Sequence, residues 1–100
     1  MTDHPFVGAD MILAERLRQV DAEGWTTEHD DEHADGELLR AAQSYAFTAM
    51  HGNSRTLPDP LWPWDASWWK PSDDPVRNLV KAGALIAAEI DRRLRATSCP

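Results

Sequence analysis

The chain has one cysteine, Cys99, among 100 residues, so it can form no internal disulfide and suits a reducing compartment. Long apolar runs are missing as well. The longest, residues 82–88 with Gly83 inside it, is far shorter than the ~20 residues a membrane-spanning helix needs, and no apolar segment near the start reads as a secretory signal. Basic charge is scarce. Ten Lys and Arg against seventeen Asp and Glu leave a formal charge of −7, which disfavours direct binding to nucleic acid or an anionic membrane. There is no glycine-rich phosphate loop and no serine in a glycine-flanked elbow, so the usual kinase, dehydrogenase and serine hydrolase signatures are absent. The expectation is one small cytoplasmic domain over 1–100, with tails at 1–8 and 97–100.

Tryptophan, by contrast, is abundant. Four of the five indoles, Trp62, Trp64, Trp68 and Trp69, lie within eight positions, among Pro58, Pro60, Pro63, Pro71 and Pro75. Proline fixes φ and removes backbone donors, so this segment is expected to be a stiff, irregular loop. Its rings either staple the loop onto helices or form a flat wall for a planar ligand. Either role fits a loop this long.

Three main helices are expected, and no strand, which makes the class all-α. The first covers 9–22, with Met11, Ile12, Leu13, Leu17 and Val20 as its apolar side and Gly24 as its stop. An acidic loop follows at 25–34, with Asp35 as N-cap of a second helix over 36–50. The third runs over 75–96, started by Asp74 and Pro75, with Val76, Leu79, Val80, Gly83, Ile86, Ala87, Ile90 and Leu94 as one apolar stripe. Three helices leave an open side, so a homo-oligomer that completes a helical bundle is expected.

Two sets of residues carry candidate chemistry. Lys70, Arg77 and Lys81 can meet phosphate oxygens while Trp62, Trp64, Trp68 or Trp69 stacks on a base. His29, Asp30, Asp31, His33 and Glu37 offer imidazole and carboxylate ligands to a metal, though not at zinc-hydrolase spacing. A solvated acidic loop is the plainer reading of the second set. Asp91 and Arg95 fit a surface ion pair, and Cys99 is read as incidental.

Several motifs taken in order resemble those of a family of small phage and prophage proteins. They are Glu15-Arg16-Leu17-Arg18-Gln19, Glu23-Gly24-Trp25-Thr26, Glu28-His29-Asp30-Asp31-Glu32-His33, Gly36-Glu37-Leu38, Ala41-Ala42, Trp62-Pro63-Trp64, Trp68-Trp69-Lys70-Pro71 and the run from Leu79 to Ile86. That resemblance covers nearly the whole chain and implies a phage-encoded origin, hence a bacterial host's cytoplasm. The chain is more distantly similar to the MazG-like all-α nucleotide pyrophosphohydrolases, which are oligomeric bundles holding Mg²⁺ on paired acidic motifs. By position, the second helix keeps Glu37 alone, with Ala41 and Ala42 on the next turn, and the third has Asn78 and Lys81 where acids belong.

The departure favours holding a nucleotide over cutting it, because hydrolysis of a phosphoanhydride needs several carboxylates on divalent ions. The expected function is therefore sequestration of a nucleotide, such as a cyclic signal of host defence, with no cofactor and no catalytic residue. One alternative is a divergent metal-dependent pyrophosphohydrolase using Mg or Mn on the His29–Glu37 set. Another is an acidic interaction protein or DNA mimic that inhibits a host protein.

Overall fold

The computed structural model describes residues 4–52 and 60–98. Pro58 and Cys99 therefore lie outside the described residues. The architecture is all-α: α1 (Val7–Glu23), α2 (Thr27–Asp31), α3 (Glu37–His51) and α4 (Pro75–Ser98), with a 3₁₀ turn at Ala66–Trp68 and no strand among the described residues. Two boundaries reach past the expected ones. Val7 and Gly8 belong to α1, and α4 continues through Thr97 and Ser98, so these four residues are helical rather than tail. No helix of the described residues is long and apolar enough to cross a membrane.

Local chemistry explains most of the helix ends. Gly24 takes φ +70°, the left-handed conformation that glycine adopts without a Cβ penalty, and the Trp25 N–H then donates to the Gln19 carbonyl at 3.1 Å. Thr26 caps the short helix α2, its hydroxyl accepting from the His29 N–H at 3.3 Å. Part of the segment read as acidic loop is thus a helical turn, started by a threonine cap. The expected cap at Asp35 is reversed. Gly36 occupies the N-cap position, and the Glu37 side chain accepts from the Asp35 backbone N–H at 2.8 Å. At α4 the expected start holds, with Asp74 Oδ1 accepting from the Val76 N–H at 2.9 Å.

The core lies between α3 and α4. Leu38, Ala41, Ala42 and Tyr45 of α3 meet Ala82, Leu85 and Ala88 of α4, and Trp62 and Trp69 of the loop close the cluster. The alanines let the two backbones approach, and the indoles supply the large apolar area that so short a chain otherwise lacks. Asn78, almost fully buried, ties the loop to α4: it donates to the Ser72 carbonyl and accepts from the Ser72 N–H, both at 2.8 Å.

The apolar side expected of α1 is largely turned outward: Met11, Leu13 and Leu17 are exposed, whereas Glu15 and Gln19 are buried. Ile12 is an apolar contact with α4, lying where a Cβ on Gly83 would fall 2.5 Å from its Cδ1. Gly83 is therefore what lets α1 sit down on α4. The α4 stripe is corrected in the same way. Val76, Leu79, Ile86, Ile90 and Leu94 face solvent in this chain, and the buried side is built from Asn78, Val80, Ala82, Ala84, Leu85, Ala88 and Glu89. The small and polar residues face inward because the buried space is a tight alanine seam and an ion-pair network, not a broad apolar core.

Candidate functional site

The Gly24 turn and the loop from Trp62 to Pro71 converge on two adjoining cavities that share Trp25 and Trp68. The first, about 300 Å³, is walled by Trp25, His29, His33, Trp64, Asp65 and Trp68. The second, about 350 Å³, carries Arg18, Lys70, Arg77 and Lys81 against Glu15 and Glu23, with Gln19 and Tyr45 also on its wall. Four cations face two carboxylates there, so this cavity is locally positive in a chain whose net charge is negative.

Glu15 organises the second cavity. Only 2% exposed, its carboxylate accepts from Arg18 Nε and Nη2, both at 2.8 Å, from Gln19 Nε2 at 3.0 Å, and from Arg77 Nη2. Burial pushes its carboxyl up, but the hydrogen bonds from Arg18 and then Arg77 outweigh burial and hold it below the usual carboxylate range. Because Gln19 Nε2 is committed to Glu15, its Oε1 is left as the other end of the amide. That atom is buried and has no hydrogen-bond partner among the described residues, an acceptor left without a donor behind the cavity.

Lys81 reaches across the loop, its Nζ donating to the Lys70 carbonyl at 2.6 Å and sitting 5.5 Å from the Tyr45 ring centre. Burial, and next the Arg77 guanidinium, hold its pKa below the ordinary lysine value. An anion entering the cavity would reverse the second of these effects. Tyr45, pushed up to about 12 by burial, accepts from the Lys70 N–H through its hydroxyl at 3.3 Å. Lys70 itself is exposed, with Nζ 5.9 Å from the Trp68 ring centre.

The tryptophans expected to share one role divide into two pairs. Trp62 and Trp69 are core staples, packed on Tyr45 with ring centres at 5.8 and 4.7 Å, and line neither cavity. Trp64 is half-buried on the first cavity, and Trp68, 53% exposed, borders both. Lys70, Arg77 and Lys81 do come together. Sequence reasoning missed Trp25, Glu15, Arg18 and Gln19. The available signal was Ile12, Glu15 and Gln19 at helical spacing, which puts two polar residues on the side of α1 that carries Ile12.

The metal candidates are dispersed. Asp30 is fully buried and takes Arg16 Nη2 at 2.9 Å, while Asp31 takes Arg95 Nη2 at 2.8 Å. Arg95 makes its close pair with Asp31, while Asp91 acts on it electrostatically and lies 3.9 Å from Arg16. Glu37 is turned to the Asp35 N–H. His29 and His33 stay together on the first cavity, between Trp25 and Trp64. Among the described residues, no three His, Cys, Asp or Glu side chains gather as a metal cage. No protein-family model matches the chain, and no curated protein or solved structure is significantly similar to it.

Proposed function

We propose that the chain binds a nucleotide and holds it intact, its phosphates among Arg18, Lys70, Arg77 and Lys81 and its base against Trp25 and Trp68. The observation that carries this is the joining of a four-cation cavity to two indoles common to both cavities. Guanidinium and ammonium groups bind phosphate oxygens by charge-assisted hydrogen bonds, and an indole face is worth ~1–3 kcal/mol per stacked base. Retention rather than hydrolysis follows from the carboxylates: Glu15 is occupied by two arginines, and Glu23 accepts from Arg18 at 3.1 Å. With the phage-type resemblance, sequestration of a host's signalling nucleotide is the role that fits.

Calorimetry of the full chain against nucleoside triphosphates and cyclic di- and trinucleotides tests the reading. Saturable binding of at least one is expected, with the ligand recovered chemically unchanged after denaturation. Lys70→Glu and Trp68→Ala, both at exposed positions, are each expected to weaken it about tenfold or more. Absence of heat with every nucleotide sinks the proposal, and release of pyrophosphate replaces it with the hydrolase alternative.

The chain is further proposed to act as a dimer of identical copies through α1 and α4. Met11, Leu13, Leu17, Val76, Leu79, Ile86 and Ile90 are each 40–57% exposed. Half of seven such residues is on the order of 600 Å² of surface, most of it apolar, the upper end of the largest patches on ordinary monomers, which are often functional. A two-fold axis lets one such surface cover its own copy. Light scattering is expected to give twice the chain mass, and Ile86→Glu with Ile90→Glu the single mass. A monomer before substitution refutes it.

A further inference from the structure

His29 and His33 stand four positions apart, one on α2 and one just beyond it, and their Nε2 atoms face each other at 3.4 Å. The opposite ring nitrogens both look at carboxylates. His29 Nδ1 lies 3.5 Å from Asp30 Oδ1, and His33 Nδ1 lies 3.7 Å from Glu37 Oε2. A carboxylate beside Nδ1 favours the proton there, which leaves the Nε2 lone pair free. With both rings so biased, two lone pairs face the same space 3.4 Å apart, which repels unless one ring moves its proton to Nε2 and makes a hydrogen bond or a metal ion takes both nitrogens.

The spacing suits a metal ion. Two imidazole nitrogens at ~2.0–2.1 Å from a tetrahedral zinc ion lie about 3.3–3.4 Å apart. Carboxylates on the far nitrogens are the usual partners that orient metal-bound imidazoles. We propose that His29 and His33 form an open, two-imidazole site for a zinc-class transition metal on the wall of the first cavity. Trp25 and Trp64 frame it, the Trp25 ring stacked on His29 at 5.9 Å and the Trp64 ring edge-on to His33 at 5.1 Å. Water or a ligand atom in the cavity completes the coordination, since no third protein ligand gathers there among the described residues. Imidazole donors select Zn, Ni or Cu over Mg. The site borders the nucleotide reading at Trp25, which lines both cavities, but its ligating atoms are not among the groups assigned to the nucleotide.

Chelator-treated full chain titrated with Zn²⁺ near pH 7.5 is the test, with Mg²⁺ as the contrasting ion. One saturable Zn²⁺ per chain is expected, no Mg²⁺ heat, and quenching of tryptophan emission by Ni²⁺ or Cu²⁺ through Trp25 and Trp64. His33→Gln is expected to weaken Zn²⁺ binding at least tenfold and Glu37→Gln by a smaller factor, while His51→Gln leaves it unchanged. Because a histidine change also disturbs the ring stack, imidazole ¹⁵N shifts of the unaltered chain provide a second readout. Zn²⁺ should move Nε2 of both residues and spare Nδ1. No saturable Zn²⁺ binding, binding indifferent to His33, or shifts on Nδ1 overturns the proposal.

Discussion

Trp69→Ala is expected to destabilise the chain by about 3–5 kcal/mol, the usual cost of deleting a buried aromatic ring, whereas Trp68→Ala should cost under about 1 kcal/mol. The two residues are adjacent in sequence and differ only in where the 3₁₀ turn leaves them. Trp69 is 7% exposed, with ring centres 4.7 Å from Tyr45 and 4.9 Å from Trp62, so its removal opens a hole between α3, α4 and the loop. For a domain of this size the loss is comparable with the whole folding free energy. Trp69→Phe should recover most of it, because the Trp69 Nε1 has no acceptor among the described residues and no hydrogen bond is lost. Trp62 differs there, donating from Nε1 to the Asp65 carbonyl at 3.1 Å. Urea unfolding of the three variants checks the prediction. Equal losses at positions 68 and 69 would mean that the indoles do not divide between core and cavity.

Glu15→Gln should lower stability by about 2–3 kcal/mol and at the same time tighten the binding of inorganic phosphate. The carboxylate is buried, but its arginine partners reach water, so the loss falls short of that for a fully enclosed ion pair. Removing its charge leaves Arg18, Arg77 and Lys81 opposed by Glu23 alone among the carboxylates of that cavity. Opposite signs for stability and anion affinity separate this electrostatic role from a merely structural one.

The same carboxylate sets an acid response. Its folded pKa lies below the ordinary value of about 4.5, so its contribution is fully present above that pH. The contribution is lost as pH falls through the depressed folded value. Glu89 acts in the same direction: hydrogen bonds from Arg92, and after them from Arg93, outweigh burial and take it down to about 2. Stability should therefore decline from about pH 4.5 toward pH 2, and the decline should be shallower in Glu15→Gln and in Glu89→Gln. An unchanged acid limb in both variants would remove these pairs as its cause.

Much of this was legible in the sequence because it depends on near neighbours along the chain. Asp74-Pro75 starts a helix with groups one or two residues away, Gly24 stops one by its own backbone freedom, and prolines stiffen the tryptophan loop whatever surrounds it. The cations Lys70, Arg77 and Lys81 were placed together because helical spacing and a short connection bring them together. The inward side of α1 was not legible. Its most apolar positions looked like the core, yet Glu15 is buried because Arg77, sixty-two residues later, supplies a guanidinium.

What the sequence alone determined is the helical class, the major helix boundaries to within a few residues, three of the four cavity cations and the presence of an indole-rich loop. Only the tertiary structure decided which indoles are core and which are cavity wall, that Trp25 joins them, and that His29 and His33 point their Nε2 atoms at one another. The physical reason is range. Capping, backbone restriction and helical periodicity act within about one turn, whereas burial, ion pairing and ring packing depend on side chains brought from distant positions.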